Sequence, residues 1–144
     1  MINREIIRLK IVQLTYAYYQ NGNNNIDAAE KELFFSLSKA YDLYNYMLAL
    51  MVSITRESRR RLEIEQVRSK REGKEQPSTK LADNRFIAQL EVNKMLCNFQ
   101  ESQKKTWDNE PEFIKKMYEQ IVNSQIYADY IANEENNYEA DREF

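Results

Sequence analysis

The feature that most constrains the fold is an apolar stripe at alternating spacings of four and three: Leu33, Leu37, Ala40, Tyr44, Met47, Met51 and Ile54, widened by Phe34, Tyr41 and Leu48. Such a period places one face of a long helix against neighbours, and no strand can follow it. The chain has only two glycines and two prolines to interrupt helices. It is rich in Leu, Glu, Lys, Gln and Arg, and no stretch shows sustained two-residue alternation of β-branched side chains. These patterns predict an all-α protein, a bundle of about four to six helices with one long second helix. At 144 residues, 42% of them hydrophobic, the chain is expected to form a single helical domain over 1–144.

Local signals divide the chain. The first helix is expected from just after Asn3, a capping residue, to near Gln20, before "NGNNN". Asp27, with Glu30 three residues later, predicts the start of the second helix. Unbroken from Asp27 to Lys70, that helix is about 66 Å long, against a radius of gyration of about 15 Å for a compact domain of this size. It is therefore expected to overhang the bundle or to break near "TRESRRR". Residues 69–83, "SKREGKEQPSTKLAD", read as a mobile loop. A third helix is expected over about 84–103. A fourth follows from Pro111, divided by a new cap at Ser124, and a last helix begins near "ADREF".

Composition excludes more chemistry than it suggests. There is no histidine, a single cysteine (Cys97), and neither a P-loop nor a dinucleotide fingerprint, so no metal site, no cofactor and no enzymatic activity are expected. The longest apolar run, Met47 to Val52, is far shorter than the roughly 20 residues that cross a bilayer. No membrane association and a cytoplasmic location are expected. The net charge of −2 conceals a gradient: residues 56–74 carry eight Lys/Arg against four Asp/Glu, and residues 108–144 carry three against ten.

The opening segment, "NREIIRLKIVQLTYAYYQ", is basic and tyrosine-rich within this acidic chain. Arg4 and Arg8 lie one turn apart, Lys10 adds charge, and Tyr16 continues the same i+4 row, an arrangement suited to phosphates and an unpaired base. The competing reading is a solvated helix face whose tyrosines pack at the rim. Arg59, Arg60, Arg61 and Arg68 form a second basic cluster, either an accessory RNA contact or an exposed helix paired with Glu57, Glu63, Glu65 and Glu72.

Arg4, Arg8, Gln13 and Tyr16 in that first segment resemble the signature of the first helix of the NusB transcription antitermination family. "AEKELFFSLSKAYDLYNYMLALM", "NRFIAQLEVNKMLCNFQESQKKTW" and "PEFIKKMYEQIV" are similar to the longer form of that family, which carries a helical insertion after the first helix. The resemblance covers most of the chain. It implies an all-helical, non-enzymatic factor that binds the boxA element of single-stranded RNA with a small-subunit ribosomal protein, NusE, and joins the RNA polymerase elongation complex. By position it assigns RNA contact to Arg4, Arg8, Lys10, Gln13 and Tyr16. The family's run of adjacent arginines is thinned here, with Glu5 and Ile6 in its place. By the same resemblance the chain is expected to be the N-terminal portion of a longer protein, with self-association covering any apolar face left open. The alternative function is a helical protein-interaction module that does not bind RNA.

Overall fold

A computed structural model describes residues 3–22 and 25–144 of the chain. Every regular element among them is helical: α1 (Arg4–Gln20), α2 (Ile26–Glu72), α3 (Arg85–Glu91), α4 (Lys94–Ser102), α5 (Pro111–Val122), α6 (Gln125–Ala132) and α7 (Tyr138–Glu143), with a 3₁₀ turn at Trp107–Asn109. The chain groups into two compact units, one ending at Tyr46 and the other spanning Met47–Phe144.

In the first unit, α1 starts where the Asn3 side chain accepts from the backbone N–H of Glu5 at 3.2 Å. It ends before Gly22, whose φ of 59° is the left-handed conformation that side chains resist. α2 starts at Ile26, so its cap lies two residues before the expected Asp27. Asn25 fills the role instead, its Oδ1 accepting from the N–H of Ala28 at 3.1 Å, because an amide at that position reaches an orphan donor as well as a carboxylate does. Ile11, Leu14 and Tyr18 of α1 meet Ala29 and Leu33 of α2 across a cleft of about 380 Å³. The cleft stays open to solvent, and no residue of α1 is buried.

α2 continues without a break through "TRESRRR" to Glu72. The reason is local: Arg60 and Arg61 both pair with Glu57, one turn back, at 2.8 Å, and Arg68 pairs with Glu72 at 2.8 Å. Opposite charges at these spacings support the helix that the arginine run alone would strain.

The second unit holds the buried core. Ala49 and Val52 of α2 pack with Ile87 and Leu96, and Leu50 and Ile54 pack with Ile114. Trp107 sits against both clusters. The expected third helix is two, because Asn93 turns its side chain onto the N–H groups of Met95 and Leu96 and starts α4 afresh. Pro111 opens α5, and Ser124 caps α6 by accepting from the N–H of Tyr127 at 3.2 Å. Within the segment expected to be mobile, Leu81 and Ala82 are buried, and the Lys80 ammonium donates to the carbonyls of Tyr130 and Asn133 at 2.7 Å.

A buried polar network fixes α7. The Tyr130 hydroxyl donates to Asp141 Oδ1 at 2.7 Å, Asn84 Nδ2 donates to the Asp141 carbonyl at 2.9 Å, and Asp141 Oδ2 accepts from the backbone N–H of Arg85 at 3.0 Å. Asn84 Oδ1 caps α3 through the N–H of Ile87 at 3.0 Å. Burial, and next the Asp141 side chain that accepts its proton, push the Tyr130 phenol above its ordinary range, so it stays a donor.

Candidate nucleic-acid interface

The two basic clusters differ in what surrounds them. On α1, Arg4, Arg8, Gln13 and Tyr16 are exposed and Lys10 is half-buried. Tyr16 is 67% exposed, and its hydroxyl accepts from Gln20 Nε2 at 3.0 Å, which holds the phenol against the helix and leaves the ring face to solvent. Neither Arg4 nor Arg8 has a carboxylate partner among the described residues. The nearest acid in sequence, Glu5, accepts from the Asn3 amide at 3.4 Å.

The helix does not present all five predicted contacts together. Each four-residue step rotates the row by about 40°, so Arg4 and Arg8 share one side and Tyr16 lies about a third of a turn further round. Lys10 and Gln13 fall on a different side, lining a cleft of about 260 Å³ with Glu32 and Ser36 of α2. Arg4 and Arg8 are an exposed cationic pair, Tyr16 is an exposed ring about 12 Å further along the helix than Arg8, and Lys10 and Gln13 line the cleft between α1 and α2.

The second cluster is engaged internally. Arg59 donates from Nη1 to both carboxylate oxygens of Glu91 at 2.8 and 2.9 Å, and from Nε to the carbonyl of Ala82 at 2.8 Å. Arg60 forms two bonds to Glu57 at 2.8 Å. Arg61 bonds Glu57 at 2.8 Å and Glu119 at 3.0 Å, with its guanidinium carbon 4.8 Å from the centre of the Tyr118 ring. Arg68 reaches Glu72. Hydrogen bonds from Arg60, outweighing partial burial and joined by those from Arg61, hold the Glu57 carboxyl down at about 2. These arginines tie α2 to the loop before α3, to α3 and to α5.

Sequence reasoning did not single out Arg56, Glu91, Glu119 or Trp107 as parts of one region. Glu91 accepts from Arg56 at 3.3 Å as well as from Arg59. These residues lie far apart along the chain, and only the excess of Arg and Lys over residues 56–74 hinted that acids would be recruited from elsewhere. Among the described residues no group of three or more Asp, Glu, Cys or His is placed to hold a metal ion, and no helix is long and apolar enough to cross a membrane.

The architecture is thus an all-helical chain with an exposed cationic pair and an exposed ring on its first helix. Comparisons with protein-family models, with curated proteins and with solved structures return no match.

Proposed function

We propose that this chain is a non-enzymatic RNA-binding factor of the NusB antitermination kind, contacting single-stranded, boxA-like RNA through α1. One contrast carries the reading. Arg56, Arg59, Arg60, Arg61 and Arg68 each meet a carboxylate, whereas Arg4 and Arg8, one turn apart and exposed, meet none among the described residues. An unneutralised pair on an exposed helix is available to two phosphates, and the open face of Tyr16 suits a stacked base. The resemblance of "NREIIRLKIVQLTYAYYQ" to the family's first helix supports the same assignment.

The proposal includes a protein partner: the small-subunit ribosomal protein NusE, and through it the polymerase elongation complex in the cytoplasm. The supporting observation is the apolar surface of the first unit, where Phe34, Phe35 and Leu43 are each 63% exposed and Val12 is 66% exposed. The same observation favours the second reading, a protein-interaction module without RNA binding. Fluorescence anisotropy with a labelled boxA-type oligoribonucleotide separates the two. The first reading expects Arg4→Ala/Arg8→Ala to weaken binding at least tenfold, equivalent to about 1.4 kcal/mol, with the melting temperature unchanged. Equal affinity of the wild-type and doubly substituted chains favours the second.

A further inference from the structure

The second unit contains a different anion-seeking region. Between the middle of α2, the 3₁₀ turn and the start of α5 lies a cleft of about 350 Å³ whose walls include Ser53, Arg56, Glu57, Arg60, Trp107 and Lys115. Its electrostatics follow from how the carboxylates are shared. Glu91 gives both oxygens to Arg59 at 2.8 and 2.9 Å, leaving Arg56 a longer contact of 3.3 Å through Nε. Glu57 is divided between Arg60 and Arg61. Glu57 and Glu91 thus serve four guanidinium groups, of which Arg61 also meets Glu119. Among the described residues Lys115 pairs with Glu112, whose side chain is 85% exposed and holds it weakly. The remaining acid of the cleft, Asp108, is exposed and touches Thr106 Oγ1 at the long distance of 3.5 Å. Of the side chains that line the cleft, Arg56, Arg60 and Lys115 are cationic and Glu57 and Asp108 anionic, which leaves one positive charge in excess at this wall.

The chemistry of the lining selects the anion. Guanidinium forks and an ammonium are the groups that recognise phosphate, and Ser53, 8% exposed, places a hydroxyl-bearing side chain at the cleft. Trp107 adds a flat apolar wall, held in place by stacking on Phe113 with ring centres 5.5 Å apart and planes 16° from parallel. Aromatic surface beside phosphate-binding cations suits a base and its phosphate together, and the cleft lies near the lower bound of ligand pockets, about 300 Å³. We infer that it receives one nucleotide unit, with the phosphate meeting Lys115 and the N–H groups that Arg56 and Arg60 keep beyond their bonds to Glu91 and Glu57, as a second anion contact weaker than an unpaired pair would make, and with the base or sugar beside Trp107. Such a unit is either a free mononucleotide or one residue of an RNA strand. The inference concerns the second unit alone and does not rest on the reading of α1.

Trp107 is the sole tryptophan, so its emission reports on the cleft. The full chain is titrated with uridine monophosphate, with hexauridylate and with inorganic sulfate at matched ionic strength. A saturable change with the mononucleotide identifies a free nucleotide site, and one confined to the hexamer identifies an RNA contact. Either supports the inference if Lys115→Gln weakens the response at least threefold while Asp108→Asn, which removes a repelling charge, tightens it. Both substitutions are at partly or fully exposed side chains outside the apolar clusters, and circular dichroism establishes that each variant is folded. Arg4→Ala/Arg8→Ala is expected to leave the mononucleotide response intact, so failure of the α1 reading and failure of this one are distinguishable. The inference is overturned if neither nucleotide gives a saturable change, if sulfate reproduces the whole change, or if the Lys115 and Asp108 variants respond as the wild type does.

Discussion

Replacing Tyr130 by Phe tests whether the polar network, more than apolar contact, fixes α7. The substitution keeps the ring, including its stack on Phe144 at 4.2 Å between centres and the Lys80 ammonium 4.7 Å from the ring centre. It deletes only the hydroxyl, which donates to Asp141 Oδ1 at 2.7 Å and accepts from Asn84 Nδ2 at 3.3 Å. Asp141 is 4% exposed and cannot replace the lost donor with bulk water. A hydrogen bond to a charged group contributes about 1.5–3 kcal/mol, and the weak, long contact from Asn84 adds little. The expected loss is therefore about 2 kcal/mol. With a urea dependence of about 2 kcal/mol/M, the unfolding midpoint falls by about 1 M. Equilibrium urea unfolding followed by circular dichroism gives the value directly. Asp141→Asn on the Tyr130→Phe background is expected to cost less than it does in the wild type, because the pair is already broken. A midpoint shift below about 0.25 M, or strict additivity in the double-mutant cycle, refutes the assignment of the network as the tether.

Three further predictions follow from the same geometry. Glu57 has a folded-state pKa of about 2 against an ordinary 4.5, so its contribution is fully present above the ordinary value and is lost as pH falls through the lower one; Glu57→Gln is expected to flatten the stability profile in that acid window, and an unchanged acid slope contradicts it. Glu91→Ala strands Arg59 and Arg56 and is expected to cost about 1–2 kcal/mol of unfolding free energy, and a loss under about 0.3 kcal/mol would return both pairs to ordinary surface status. Phe34→Ser/Leu43→Ser alters side chains that are each 63% exposed, so thermal stability is expected to stay within about 0.5 kcal/mol. If that apolar surface binds a protein partner, the same variant binds the partner less tightly, as isothermal titration would record.

The fold class and several caps were legible from single residues. Asn3, Pro111 and Ser124 sit where the sequence puts them because capping is a local interaction between a side chain and backbone within three positions. Asn93 was harder to read. Leu90, Leu96 and Phe99 continue an apolar pattern across it, and only the geometry shows its amide oxygen taking two N–H groups to restart the helix. The long helix was legible in its period, and Glu57, which pairs with Arg60 and Arg61 and carries it through "TRESRRR", lies within local pairing range; the further partners of that stretch on α3 and α5 show in no local pattern. Residues 80–83 looked like mobile loop because the carbonyls that anchor Lys80, on Tyr130 and Asn133, lie some fifty positions away. For the sites, the exposure of Arg4 and Arg8 could be anticipated from the helical wheel. The convergence of Arg56, Trp107 and Lys115 could not, because it is produced by tertiary packing.

The central claim, that the α1 arginines meet phosphate, is tested most directly by the salt dependence of RNA affinity. For single strands the slope of log affinity against log salt steepens by about 0.7 for each phosphate neutralised. The account predicts that removing both Arg4 and Arg8 makes the measured slope shallower by about 1.4, with secondary structure retained. A doubly substituted chain with the slope and affinity of the wild type would contradict it.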